Sequence, residues 1–142
     1  MSQNQRGMAL IEFSFTMTLL LLLVMGVIDF ALVIQKAMVV NEAAYVAAQW
    51  GASPYNSWNL TEMQTIAQNS ATGVAGFSAV ATKWCTCSPA GSAVACTSTC
   101  TGNGTPIAYV QVATSATAPV LFRYSVLPIS VPLGGLCVMR VQ

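Results

Sequence analysis

"GMALIEFSFTMTLLLLLVMGVIDFALVI" fills residues 7–34, and its reading decides the architecture of the chain. Phe13 to Ile28 contains no charged side chain, and Phe30 to Ile34 continues the apolar run past a single Asp29. As a helix, Phe13–Ile34 would span roughly 33 Å, close to a hydrocarbon core of about 30 Å. A buried helix of a soluble protein is the alternative reading of such a run. Arg6 is the only basic residue ahead of it and favours a cytoplasmic N-terminus. One residue breaks the pattern. A carboxylate at the middle of a membrane helix costs about 2.5–3.5 kcal/mol on insertion scales, so Glu12 needs a compensating partner or a shallow position.

Working outward, the run does not end where a secretory signal would. A signal peptide has a short apolar core and a small-residue cleavage site. Here the pattern continues through "QKAMVVNEAAYVAAQWGA" (residues 35–52) without proline, until Gly51 and Pro54 stop it. The spacing predicts one helix of some 40 residues, roughly 60 Å long. Its lower half is apolar on all sides. Its upper half sets Val39, Val40, Ala43, Ala47 and Trp50 at intervals of three and four, a helical stripe. The small Ala43, Ala44, Ala47 and Ala48 would let another helix approach closely. Phe13, Leu20 and Gly26 below, with Val39, Ala43, Ala47 and Trp50 above, are therefore the expected helix-packing positions.

The residues at the start of the run resemble a known pattern. Gly7, Met8 and Glu12 are similar to a class III, type IV pilin leader, with a short polar segment ending in Gly and a Glu five residues into the mature chain. "RGMALIEF" (6–13), "LLLLLVMGVIDF" (19–30) and "NEAA" (41–44) together resemble the TadE-like family of pilin-like proteins. "CTC" (85–87), "AYVQV" (108–112) and "LCVMRVQ" (136–142) are similar to that family's β-rich C-terminal half. The family belongs to bacterial tight-adherence (Tad) systems, which build type IV-like pili.

The resemblance implies a leader over residues 1–7, cut between Gly7 and Met8 by a membrane-embedded prepilin peptidase, with methylation of the new amine as a further step. It implies a filament-core helix over 8–52 and an exported head over 53–142. Glu12 would face the N-terminal ammonium of a neighbouring subunit and so set the assembly register; the alternative is that it reaches the cytoplasmic interface. The implied partners are further copies of the chain, the prepilin peptidase, the inner-membrane assembly machinery, and the membrane itself before assembly. The implied location is the inner membrane first and a surface filament afterwards. Two departures stand out. Thr18 occupies a helix position where the family usually carries proline, and Tyr45, Val46 and Gln49 replace charged residues common after "NEAA".

Beyond Gly51, Pro54 and a polar cluster predict a turn. Asn59 followed three residues later by Glu62 resembles a capping box. Met63, Ile66, Ala67 and Ser70 then mark a short helix over about 60–72. Strands are expected at Phe77–Cys87, Ile107–Thr114, Val120–Val126 and Cys137–Val141, separated by Pro and Gly. The fold class is α+β: a long N-terminal helix carrying a short helix and a small antiparallel sheet. Five cysteines lie in the sheet region, Cys85, Cys87, Cys96, Cys100 and Cys137. With no histidine in the chain their spacing fits no common zinc pattern. A small exported head favours disulfides. Four cysteines allow three connectivities. Cys85 and Cys87 would share one side of a strand and suit bridges to Cys96 and Cys100 across a loop. Cys137 is then either buried and unpaired or available to a neighbour.

Composition removes several function classes. Charged residues are 6% of the chain and the net charge is +1, which leaves no basic patch for nucleic acid. The acidic residues are Glu12, Asp29, Glu42 and Glu62 only, so the head lacks paired carboxylates for hydrolysis. A Ser or Cys nucleophile would lack a His base. No Cys-x-x-Cys-His string would attach haem, and no cofactor is expected. Asp29, near the outer end of the span, is either a functional intramembrane charge, an interfacial residue, or a partner for Lys36. The sequons at Asn59 and Asn103 read as chance occurrences. What remains is a structural subunit of a pilus-like filament, a membrane-retained accessory of pilus assembly, or a monomeric anchored adhesion domain.

Overall fold

Nothing between Gln3 and Trp50 removes a backbone donor or forces a turn, so one helical ladder runs the whole way. In the computed structural model, which describes residues 3–56, 59–89, 91–102, 104–122 and 129–141 (backbone alone for 3–6), helix α1 spans Gln3–Gly51. Its 49 residues make it roughly 74 Å long. The helix thus begins ahead of Met8 and passes through Gly7 unbroken.

The second helix, α2 (Leu60–Ser70), starts where the capping residues place it. The Asn59 side-chain oxygen accepts the Glu62 N–H at 3.1 Å, satisfying one of the donors a helix start leaves unpaired. Met63 and Ala67 face inward, and Met63 lies directly against Gly51 at the end of α1.

Four antiparallel strands follow: β1 (Ser78–Thr86), β2 (Ala93–Val94), β3 (Ile107–Pro119) and β4 (Ser130–Arg140), in the order β2-β1-β3-β4. The architecture is therefore α+β, as the sequence predicts, but the strands differ: β2 is an addition to those expected, and β3 runs on to Pro119, past the expected end at Thr114. Val120 leaves the sheet and Leu121–Phe122 form a bend, so the expected strand at 120–126 is absent from its described part; residues 123–126 lie outside the described residues. The expected Cys137–Val141 strand is instead the end of a longer one that runs through Pro132, Gly134 and Gly135.

The reason lies in the packing. A Cβ on Gly135 would stand 2.7 Å from Thr114 Oγ1, 3.0 Å from the Val40 carbonyl oxygen and 3.1 Å from Asn41 Cα. The strand crosses directly over the α1 backbone, where no side chain fits. Opposite Gly135 in the ladder, the Thr114 hydroxyl donates to the Val40 carbonyl at 3.0 Å. Sheet and helix are thus joined by a buried hydrogen bond at the point of closest approach.

The inward residues of β3 shrink along the strand, from Val110 and Val112 through Thr114 to Ala116 and Ala118, all buried at period two. This taper lets the sheet close onto α1. The core is accordingly built from small side chains: Ala44, Ala47, Ala48, Ala67, Ala79 and Ala81 surround Met63, Val110 and Val112. Trp50, Leu60, Ile66 and Met139 pack on its margin. We expect Gly135→Ala to lower head stability by about 1–3 kcal/mol, because the backbone atoms it meets cannot rotate away. Urea unfolding followed by near-UV circular dichroism checks this, and an unchanged midpoint would contradict the close approach.

Candidate functional site: the exposed helix and its junction with the head

The lower part of α1 has no partner within the subunit's head. From Gly7 to Ile28 every side chain is exposed, including Phe13, Leu20 and Gly26. The helix is long and apolar enough to cross a membrane, with a mean hydropathy of 2.7 in its most apolar window. Its polar groups are settled locally: the Thr16 hydroxyl donates to the Glu12 carbonyl, and Thr18 donates to Ser14 at 2.8 Å. Such back-bonding lets a hydroxyl sit in apolar surroundings. At Thr18 the helix continues without interruption. Gly7, Met8 and Glu12 all lie on this exposed surface.

The upper part behaves differently. Val40, Ala43, Ala44, Ala47 and Ala48 are buried, with Val39 and Trp50 partly so, and what covers this face of the helix is the subunit's own α2 and sheet. The close neighbours of the alanine stripe are therefore the short helix α2 and the sheet of the same chain. The spacing identified the buried face; it could not say which element would bury it.

Asp29 marks where one regime gives way to the other. It is only 8% exposed on a stretch of helix whose neighbours are open. Its carboxylate accepts two backbone N–H groups from the far end of the head, Leu121 at 2.8 Å on Oδ1 and Phe122 at 3.2 Å on Oδ2. Those donors belong to the bend that follows β3, where the strand has ended and the ladder no longer uses them. A charged acceptor of two amides is a strong contact, and it ties the tip of the sheet to the helix. Asp29 thus takes backbone partners in the head in place of Lys36. No side-chain pattern could have revealed it, since its partners are main-chain donors.

The cysteines staple the opposite end of the sheet. Cys85 pairs with Cys96 and Cys87 with Cys100, across sequence separations of 11 and 13 residues. Cys85 is in β1 beside Val94 of β2, and Cys100 bridges to Gly104, so the two bonds close the irregular segment between β1 and β3 onto the sheet. Cys137 is a free thiol on β4, packed against the core beside Val112, and burial pushes its thiol above the ordinary value. A raised thiol is a poorer nucleophile. The Asn59 sequon carries the cap of α2; Asn103 and Arg123 lie outside the described residues.

Among the described residues, no three His, Cys, Asp or Glu side chains come together as a metal ion would require. What the surface offers is an apolar rod, closed at one end by a hydrogen-bonded junction. Residues 7–49 match the family model of TadE-like proteins. The match begins at the glycine placed at the leader junction and ends within α1, so it covers most of the helix and leaves the head outside. No curated protein and no solved structure matches the chain. TadE-like proteins are associated with Tad pili, and a long apolar N-terminal helix fits a membrane-anchored pilus component.

Proposed function

From a helix that matches the TadE-like family over residues 7–49, we propose that the chain is a pilin-like structural subunit of a Tad filament. One observation carries this reading: the stretch from Gly7 to Ile28 is bare on every side, while one face of the helix above it is already covered by its own head. In the membrane, lipid covers the bare segment. Outside it, only further copies of the same helix supply an equally apolar surface.

The prepilin peptidase removes residues 1–7, leaving Met8 with a free or methylated amine. In the polymer Glu12 then faces the N-terminal ammonium of an adjacent chain, so that a buried charge is paired. Hydrophobic burial at about 25 cal/mol per Å² of apolar surface holds the rods together. The assembly machinery of the inner membrane extracts subunits into the growing polymer, and the disulfide-stapled heads lie outermost.

A membrane-retained accessory of pilus assembly is the second reading. It is favoured by the burial of the alanine stripe within the subunit, which leaves less apolar helix above the membrane for contacts between subunits. Shearing cells and weighing the chain in each fraction separates the two. A filament subunit is expected in the sheared, detergent-free fraction with Met8 as its first residue. Recovery only from membranes, or with residues 1–7 attached to sheared material, would contradict the proposal.

A further inference from the structure

Two charged side chains above the span are left over by the fold. Glu42 on α1 and Arg140 at the end of β4 are both exposed, and neither takes an ion pair among the described residues. Glu62, the remaining acid beyond Asp29, sits in the first turn of α2, where a helix start favours negative charge. Glu42 lies on the side of α1 that the head leaves open, next to the exposed Tyr45. Arg140 reaches the same region from the sheet. Gly135 of β4 lies against Val40 and Asn41, and from there the strand climbs α1 towards its upper end. Arg140 thus lines an open cavity of about 930 Å³ with Tyr45 and Gln49 of α1, Ser53 just beyond it, and the neighbouring Met139 and Val141. No strand but β4 contributes to the lining, so the cavity runs along the outer edge of the sheet. Among the described residues that line it, Arg140 carries the only charge.

The geometry points to an ion pair between copies of the chain: Glu42 of one subunit enters the cavity of the subunit below it and meets Arg140. The inference rests on the filament reading, and its register follows from the lower end of the helix. With the Met8 amine facing Glu12 of an adjacent chain, parallel helices are offset by four residues, roughly 6 Å. The same offset brings Glu42 of the raised chain level with Val46 of the lower one. That level falls between Tyr45 and Gln49, which line the cavity. The occupant is a second copy for two reasons. The side of α1 opposite the head is the side that a helix bundle turns towards its neighbours, and Glu42 supplies the negative charge that the cavity lacks. One offset then satisfies two charges at each contact, Glu12 at the start of the helix and Glu42 at the head. Exposed pairs of this kind fix register and exclude wrong alignments more than they add affinity, which the apolar segments supply.

Charge exchange in cells that make the full chain tests this. Sheared filament is measured against membrane-bound subunit for the unaltered chain, Glu42→Arg, Arg140→Glu, the double exchange, and Glu62→Arg as a control. Each single change at 42 or 140 is expected to lower sheared filament about tenfold or more, because like charges then face each other at every contact. The double exchange is expected to restore filament to within about twofold of the unaltered chain, the mark of a direct pair. Glu62→Arg is expected to assemble normally. Restoration separates pairing from damage to the fold, since two independent faults would only deepen the loss. Normal assembly of either single variant, or a double exchange no better than the singles, would overturn the pair and leave the filament reading standing on the unaltered chain. A loss in Glu62→Arg equal to that in Glu42→Arg would also overturn it. An unaltered chain that yields no sheared filament would remove the filament reading, and the pair with it.

Discussion

Replacing Glu12 by alanine is expected to abolish filament assembly while leaving the subunit in the membrane. In the proposed polymer each Glu12 answers the N-terminal ammonium of another chain. Its removal strands that ammonium among apolar helices. Breaking a buried ion pair by deleting one partner costs about 3–5 kcal/mol, a hundredfold or more in each subunit contact at about 1.4 kcal/mol per factor of ten. A polymer multiplies that loss along its length. Insertion moves the other way, since the variant no longer carries a carboxylate into the bilayer. Glu12→Gln separates charge from shape: it fills the same volume and is expected to fail as well. Surface-sheared filament measured against membrane-bound subunit checks all three chains. Normal assembly of the alanine variant would show that Glu12 merely reaches the cytoplasmic interface.

The second large effect is expected from the disulfides. Among the described residues the core contains no fully buried Leu, Ile, Phe or Trp; its largest fully buried side chains are Met63, Val40, Val110, Val112 and Cys85. Small side chains bury little apolar surface each, so the head draws more of its stability from close backbone packing and from covalent closure. Loss of a native disulfide from such a domain costs typically about 2–5 kcal/mol. The Cys85→Ser, Cys96→Ser double variant is expected to cost more than Cys87→Ser with Cys100→Ser, because it also places a hydroxyl at the buried position 85. Thermal unfolding of the head, followed by near-UV circular dichroism, reads the difference. The far-UV signal of α1 should persist, because its lower half makes no contact with the stapled segment. Equal midpoints for oxidised and variant chains would contradict this account.

These expectations draw on features that were unequally visible in the sequence. The long helix, the capped start of α2 and the association of Cys85 and Cys87 with Cys96 and Cys100 could be read locally, because each depends on residues close in the chain. β4 could not. Pro132, Gly134 and Gly135 look like strand breakers until Val40 and Asn41, far earlier in sequence, are found against Gly135. The lower end of β3 is no easier to read. Ala116 and Ala118 have little strand preference of their own, yet both are buried in the folded head. Asp29 was conspicuous as a charge, but its partners are amides 92 and 93 residues away. The alanine stripe announced a buried face without naming its occupant.

That last distinction bears on function, for it takes the alanine face out of the surface available for assembly and leaves the bare Gly7–Ile28 segment together with the outward Phe30, Ile34, Met38 and Tyr45. The most direct test of the central claim is cryo-electron microscopy of detergent-free material sheared from cells. The account predicts filaments with a helical repeat, in which the Met8–Ile28 segments form a central bundle and the heads lie outside. Material in which this chain is monomeric, or filaments whose core is built from a different protein, would contradict it.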